Sequence, residues 1–251
     1  MSCVNICGCR IGEGRPKVIL PIVERTQAAI LEKAAQFSTL PADCVEWRID
    51  CFEGAKDYSA IVHCAAKLRV ALKDKLLLFT FRTKAEGGKV ALAHEEYLHF
   101  IRTVLATDCA DLIDIEFFTA GAELPALIEE AHTAGAAVVC SSHDFHKTPP
   151  RTELVSRMMQ MQRAGADLPK LAVMPQSRAD VLELLAATAE MADRHPETPI
   201  ITMSMGALGA VSRLSGEALG SAMTFANPGQ ASAPGQVSLE VVNEVLDALH
   251  L

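Results

Sequence analysis

Short apolar runs alternate with amphipathic segments along nearly the whole chain. The apolar runs have the length of strands and are bounded by turn-forming residues, so we interpret them as buried strands. These strands are predicted at 18–23, 44–50, 76–82, 112–118, 137–144, 168–174, 199–205 and 222–226. Helical periodicity predicts helices near 25–37, 57–72, 94–107, 123–134, 151–164, 178–193, 213–220 and 238–249. Strict alternation of the two types predicts parallel βαβ units.

Eight such units with right-handed crossovers close into a (β/α)8 TIM barrel, an α/β fold. An open, doubly wound sheet is the alternative. It is disfavoured because no G-x-G-x-x-G follows the first strand and no G-x-x-x-x-G-K-[ST] occurs. Residues 1–16 predict an N-terminal β-hairpin that turns at Ile11-Gly12-Glu13-Gly14 and closes the barrel bottom. We therefore predict one barrel domain over residues 1–251.

The composition limits the possible partners. Half of the residues are hydrophobic and 22% are charged, which is typical of a globular chain. A net charge of −8 and a pI near 5.5 argue against binding to nucleic acid or to a membrane surface. The eight cysteines are scattered without a C-x-x-C pair, and the N-terminus has no signal-like apolar core. We expect a reduced, cytoplasmic protein without a metal site or a membrane span.

Several predicted strands carry polar residues on one face. With a side-chain period of two, the polar sets are Glu46, Arg48 and Asp50; Thr80 and Arg82; Asp114 and Glu116; Ser141 and His143. The outer face of a barrel strand meets helices and must be apolar, so these sets should point inward. An internal salt-bridge network is one interpretation. Because buried ion pairs rarely repay their desolvation, so many of them favour an active site.

Lys170 lies in the run Leu168–Met174, which is otherwise apolar. Burial of an amine without a partner disfavours its charged form, and a neutral amine attacks carbonyls to give a Schiff base. A lysine that is salt-bridged inside the core is the alternative.

Loops after the strands add further candidates. Glu86 follows the third strand and is either a general acid–base group or a solvated charge. Arg213 opens a helix after the seventh strand, and its planar fork suits a carboxylate. The segment 232–236 contains a Pro-Gly turn that suits a closing lid, although an ordinary connector is equally compatible.

The chain resembles the type I 3-dehydroquinate dehydratases of the shikimate pathway. The segments that carry this resemblance are EWRID (46–50), LLFTFRTKAEGG (77–88), DLIDIEFF (111–118), SSHDFHKTP (141–149), PKLAVMP (169–175), ITMSMG (201–206), SRLSGEALGSAMTF (212–225) and SAPGQ (232–236). They run nearly end to end, and their combination is highly specific. The chain departs from the usual pattern at Pro21, Ser142, Gly206 and Ala207.

The resemblance implies a barrel, without cofactor or metal, that dehydrates 3-dehydroquinate to 3-dehydroshikimate by syn elimination. Lys170 would form an imine with the C3 ketone. His143 would remove a C2 proton and protonate the departing C1 hydroxyl, and Glu86 would orient and tune His143. The other implied contacts are Glu46, Arg48 and Arg82 for the ring hydroxyls, Arg213 for the carboxylate, Met203, Met205 and Phe225 as apolar walls, and Ser232 and Gln236 as a cap. A homodimer is also expected.

Two other functions share the predicted fold. A class I aldolase-type barrel also uses a Schiff-base lysine but lacks the combination of SHDF, Arg213 and SAPGQ. A non-catalytic metabolite-binding barrel predicts loss of Lys170 or His143, and both are present.

Overall fold

The structure is a computed structural model that describes residues 2–229 and 235–251. Its strands are β1 (Val4–Ile6), β2 (Cys9–Ile11), β3 (Lys17–Ile22), β4 (Cys44–Arg48), β5 (Leu76–Thr80), β6 (Leu112–Glu116), β7 (Ala137–Asp144), β8 (Leu168–Val173), β9 (Ile201–Ser204), β10 (Met223–Asn227) and β11 (Val237–Ser238). Its helices are α1 (Gln27–Phe37), α2 (Tyr58–Leu72), α3 (His94–Leu105), α4 (Phe117–Ala120), α5 (Leu124–Thr133), α6 (Arg151–Arg163), α7 (Arg178–Arg194), α8 (Gly216–Leu219) and α9 (Leu239–Ala248).

Strands β3 to β10 form the predicted (β/α)8 barrel. Each pairs in parallel with the next from β3 to β9, and β10 pairs with β3. Closure comes from a parallel bridge between Ile200 and Ser221, where the Ala222 amide donates to the Ile200 carbonyl at 2.8 Å. Pro21 does not interrupt β3, since pairing with β4 continues to Ile22.

The two faces of the barrel strands have different chemistry. Outward side chains such as Trp47 and Phe79, whose rings lie 5.7 Å apart, pack under the helices. Inward side chains near the strand starts, such as Ile19, Leu78 and Ile201, form a second apolar cluster. We call the part of this cluster that lies at the strand starts the floor; the cluster members Met203, Met205 and Phe225 line the cavity described below. Charged inward residues follow the floor towards the strand ends, so the chemistry lies at the C-terminal end of the barrel.

The N-terminal hairpin is present, but its predicted turn was wrong. β1 and β2 are joined by Cys7 and Gly8, and not by Ile11–Gly14. Both turn residues have positive φ (49° and 85°), as a two-residue hairpin turn requires for its right-handed twist. Ile6 and Ile11 pack into the floor.

Four predicted elements end differently, and the differences affect the site: the strand predicted at 76–82, β5, stops at Thr80, so Arg82 lies beyond it. β4 stops at Arg48 and a 3₁₀ turn, Ile49–Cys51, follows it. β6 stops at Glu116, where α4 begins. The helix predicted at 213–220 is a 3₁₀ turn, Ala210–Arg213, followed by the short α8. Functional side chains therefore sit where the chain leaves the strands and turns.

Ile11 provides a test of how much the hairpin contributes to the barrel. Because Ile11 is fully buried in the floor, Ile11→Ala should lower the free energy of unfolding by about 2–5 kcal/mol. Denaturant unfolding measures this. Arg10→Ala, an exposed change on the same strand, is the control and should leave the unfolding midpoint unchanged. Equal midpoints for both variants would show that the hairpin does not stabilise the barrel.

Candidate active site

A cavity of about 380 Å³ lies at the C-terminal end of the barrel. The predicted site residues that line it are Glu46, Arg48, Arg82, Glu86, His143, Lys170, Met203, Met205, Arg213, Phe225 and Gln236. Ser232, the remaining one, lies outside the described residues. The fold thus brings together side chains from 46 to 236 along the chain.

Lys170 extends from the middle of β8 and is 3% exposed. Its Nζ lies 3.1 Å from Oδ2 of Asp114 and 4.8 Å from the centroid of the Phe225 ring. The expectation of an amine without a partner was therefore wrong. Lys170 is both salt-bridged and part of the cavity wall, so the two interpretations of this residue are not exclusive.

Asp114 lies on β6 and is completely buried, and both of its carboxylate oxygens accept hydrogen bonds. Oδ1 accepts from the Ser141 hydroxyl at 2.6 Å, and Oδ2 accepts from Arg82 Nη2 at 2.8 Å as well as from Lys170. Burial alone would raise the pKa of Asp114, but the charges of Arg82 and Lys170 outweigh it and lower that pKa. The carboxylate is therefore an anion fixed in place.

Arg82 connects Asp114 to the other buried carboxylates. Its Nη1 lies 2.9 Å from Glu116, 2.9 Å from the Ser141 hydroxyl and 3.5 Å from Glu86. Glu116 also accepts from the amide and hydroxyl of Thr83, both at 2.8 Å. The Arg82 guanidinium thus links Asp114, the carboxylate beside Lys170, to the carboxyl group of Glu86.

His143 and Glu86 form a close pair. Glu86 Oε2 lies 2.9 Å from His143 Nδ1 and accepts from the His143 amide at 3.0 Å. Burial, together with the charges of Arg82 and Lys170, lowers the pKa of His143 well below its usual value. A neutral imidazole that donates Nδ1–H to a carboxylate leaves Nε2 as a base.

The surroundings of the pair also favour the protonated form of Glu86. Burial raises the pKa of Glu86 to about 8 against the opposing charge of Arg82, and the carboxylates of Glu116 and Asp114 add to the rise. Because the pKa of Glu86 is raised and that of His143 is lowered, both groups are neutral at neutral pH, and the Glu86 carboxylate beside Nδ1 forms as the pH rises through about 8.

The loop that carries Glu86 packs against Phe145. Gly87 has a φ of 86°, and a Cβ there would lie 2.4 Å from the Phe145 ring. That ring stacks on His143, with 6.4 Å between centroids and 18° between planes. Glycine at 87 therefore allows the Phe145 ring to lie against both the loop that carries Glu86 and the His143 ring.

Two more arginines supply positive charge to the cavity. The guanidinium of Arg48 meets both oxygens of Asp50, from Nε at 2.8 Å and from Nη2 at 2.9 Å. Arg213 is 2% exposed, and burial lowers its pKa to about 10, which leaves it protonated at neutral pH. Its Nη1 lies 3.7 Å from Met203 Sδ, beside the apolar wall.

Sequence reasoning gave no role to four residues of this site. They are Asp50, Asp114, Ser141 and Phe145. Period two put Asp114 and Ser141 on inward faces, which was the available signal for them. Period two likewise put Asp50 on the same face as Arg48, with which it pairs, whereas nothing in the local sequence indicated that Phe145 packs on Gly87.

Fold and cavity together define a class: a (β/α)8-barrel enzyme with an amine, a histidine–carboxylate pair and arginines at its strand ends. This set is equipped for acid–base chemistry on an anionic carbonyl compound.

Comparisons with known proteins agree with that class. The sequence profile of the type I 3-dehydroquinases matches residues 18–251. The chain is 47% identical to the 3-dehydroquinate dehydratase of Bacillus licheniformis over 247 residues, covering 98% of this chain and 97% of that one. It is 47% identical to that of Bacillus subtilis over 250 residues, covering 100% and 98%. The solved type I enzyme of Clostridium difficile superposes with a TM-score of 0.96 at 42% identity, covering 99% and 98%.

The chain belongs to the type I 3-dehydroquinase family. Its reaction is the family's dehydration of 3-dehydroquinate in the shikimate pathway. The resemblance deduced from the sequence motifs is thereby confirmed, in preference to an aldolase or a non-catalytic barrel. No helix in the described part of the chain is long and apolar enough to cross a membrane.

The Glu86–His143 pair predicts the pH dependence of the reaction. Ionisation of Glu86 supplies the negative charge that stabilises the imidazolium formed on His143, so kcat/KM should rise as pH increases through about 8. Glu86→Gln imitates the protonated acid at every pH, so it should be slower and should lose this limb. Initial rates across the pH range measure both. An unchanged limb in Glu86→Gln would assign it to another group.

Proposed function

We propose that the chain dehydrates 3-dehydroquinate through an imine at Lys170. The observation that carries this proposal is the position of Lys170: a primary amine on the cavity wall, next to a carboxylate and an aromatic ring. The solved relative from Clostridium difficile is described with covalently modified comenic acid, which is consistent with covalent chemistry in this family.

The imine makes the elimination possible. Lys170 Nζ adds to the C3 ketone, and loss of water gives an iminium. The iminium draws electrons from the adjacent C2–H bond, so loss of the C2 proton gives an enamine. The enamine pair then expels the C1 hydroxyl, which leaves as water after protonation. Hydrolysis of the conjugated iminium releases 3-dehydroshikimate and the free amine.

His143 is the proposed acid–base group. As a neutral base it removes the C2 proton, and as an imidazolium it gives that proton to the C1 hydroxyl. One group on one face of the ring accounts for a syn elimination. Glu86 accepts from Nδ1 and so orients the ring, and in its ionised form it stabilises the imidazolium.

The remaining cavity residues are proposed as substrate contacts. Arg213 is a buried cation suited to the carboxylate. Glu46, which accepts from the Thr80 hydroxyl at 2.9 Å, binds ring hydroxyls together with Arg48 and Arg82. The proposed apolar walls are Met203, Met205 and Phe225, and the proposed cap is Gln236 with Ser232.

Some wider properties are proposed as well. No metal or cofactor takes part, because the iminium supplies the electron sink. The protein acts as one barrel domain and as a homodimer, as its resemblance to the family implies. A reducing, cytoplasmic setting suits its free thiols, which include exposed Cys3 and Cys7.

Reductive trapping tests the central step. With 3-dehydroquinate and borohydride, the peptide that contains Lys170 should gain the mass of a reduced imine adduct, because hydride converts the iminium to a stable amine. Mass spectrometry of the digested protein measures this. Lys170→Met keeps the length of the side chain without the amine, so it should form no adduct and lose nearly all activity. An active wild-type enzyme with an unmodified Lys170 would contradict the mechanism.

His143→Ala separates proton transfer from imine formation. The variant should still form the Lys170 adduct, because the amine is intact, but kcat should fall by about 10²–10⁴-fold. Trapping yield and steady-state rate measure the two steps separately. His146→Ala, outside the cavity lining, is the matched control and should keep normal turnover. Near-normal turnover of His143→Ala would remove it from the proton-transfer step.

A further inference from the structure

Asp114 has no place in the reaction steps proposed above, yet it makes the closest ionic contact of the proposed nucleophile. Its Oδ2 lies 3.1 Å from Lys170 Nζ, and both side chains are buried. An anion buried this deeply costs stability unless cations and donors surround it. Asp114 has two cations and one hydroxyl, and one of those cations is the reacting amine.

The surroundings favour a positive charge at the amine nitrogen. Asp114 lies on one side of Nζ and the Phe225 ring on another, at 4.8 Å from Nζ to its centroid. The negative faces of aromatic rings attract cations. The positive charge of Arg82 is shared between Asp114 and Glu116. It therefore does not fully neutralise the negative charge that Asp114 presents to Nζ.

The reaction moves this charge in a definite way. Condensation replaces the ammonium with an iminium of the same charge. Loss of the C2 proton then neutralises the nitrogen and places a positive charge on His143, beside Glu86. Asp114 lies beside the nitrogen of Lys170 and Glu86 lies beside that of His143, so each nitrogen that carries the charge has a neighbouring carboxyl group. Arg82 contacts both of these groups.

We infer that Asp114 is the positioning residue of Lys170. Its carboxylate holds Nζ at the cavity wall and keeps the imine nitrogen protonated, so that the iminium is available as the electron sink when the C2 proton is lost. This inference rests on the proposed imine mechanism. Ser141 in turn fixes the carboxylate, through the 2.6 Å bond to its other oxygen.

The experiment measures reductive trapping as a function of pH. Hydride reduces the protonated imine, so the adduct yield with 3-dehydroquinate and cyanoborohydride falls where the nitrogen loses its proton. Asp114→Asn keeps the shape and removes the charge. Its alkaline trapping midpoint should lie about 1–3 pH units below that of the wild type, the usual effect of a close opposite charge. Its kcat should fall at least about tenfold, because less of the imine is protonated.

Glu116→Gln is the matched control. This variant removes the same charge from the same buried cluster. Glu116 contacts Arg82, as Asp114 does, but its other side-chain contacts are with Thr83 and Thr119 and not with Lys170. Its trapping midpoint should stay close to that of the wild type. If both variants shift the midpoint equally, the effect belongs to the total charge of the cluster and the inference is wrong.

The outcomes separate this inference from the mechanism on which it rests. An unmodified Lys170 in the active wild type overturns both. A wild-type adduct with an unchanged midpoint in Asp114→Asn overturns the role of Asp114 alone. Should that variant not fold, nitrogen-15 NMR of the wild type labelled at lysine Nζ and equilibrated with 3-dehydroquinate decides. A protonated iminium at neutral and mildly alkaline pH is expected, and a neutral imine overturns the inference.

Discussion

The active site depends on the mutual neutralisation of charges around Arg82. This guanidinium contacts the buried side chains of Asp114, Glu116 and Glu86, and Lys170 supplies a second cation. Removal of one member leaves an unpaired buried charge, which is far more costly than loss of a surface ion pair. The same contacts that make the cluster tolerable also fix the amine and the acid–base pair relative to each other. Stability and function therefore share one set of interactions.

Most of the barrel could be predicted, because its signals are local. The run at 168–174 and the run at 137–144 read as strands from a few adjacent residues, and β8 and β7 occupy nearly those bounds. Period two also assigned the inward faces. Strand ends were less predictable: Asp50 lies in a 3₁₀ turn, and Phe117 begins a helix. The choice between extension and turning there depends on tertiary contacts, such as the Asp50 carboxylate that accepts from the Lys89 amide.

The contacts between site residues that are distant in sequence could not be predicted from local sequence patterns. Lys170 and Asp114 are 56 residues apart, and only the curvature of the barrel brings them to 3.1 Å. Family motifs named Lys170, His143 and Glu86 but left Asp114 without a role, although it was visible on an inward face. The hairpin turn was misplaced for a similar reason. Gly12 and Gly14 looked like stronger turn formers than Cys7-Gly8, yet the pairing of β1 with β2 selected the latter.

The floor also affects how small molecules can enter and leave the barrel. Ile11 from the hairpin and Ile19 from β3 belong to the apolar layer beneath the charged residues. Dehydration generates one water molecule per turnover inside the barrel, and imine exchange releases and consumes another. With an apolar floor below, we expect these waters to pass the loops at the C-terminal end, as substrate and product do. The hairpin, although remote from the reacting groups, thus helps to confine exchange with solvent to the end of the barrel where the cavity lies.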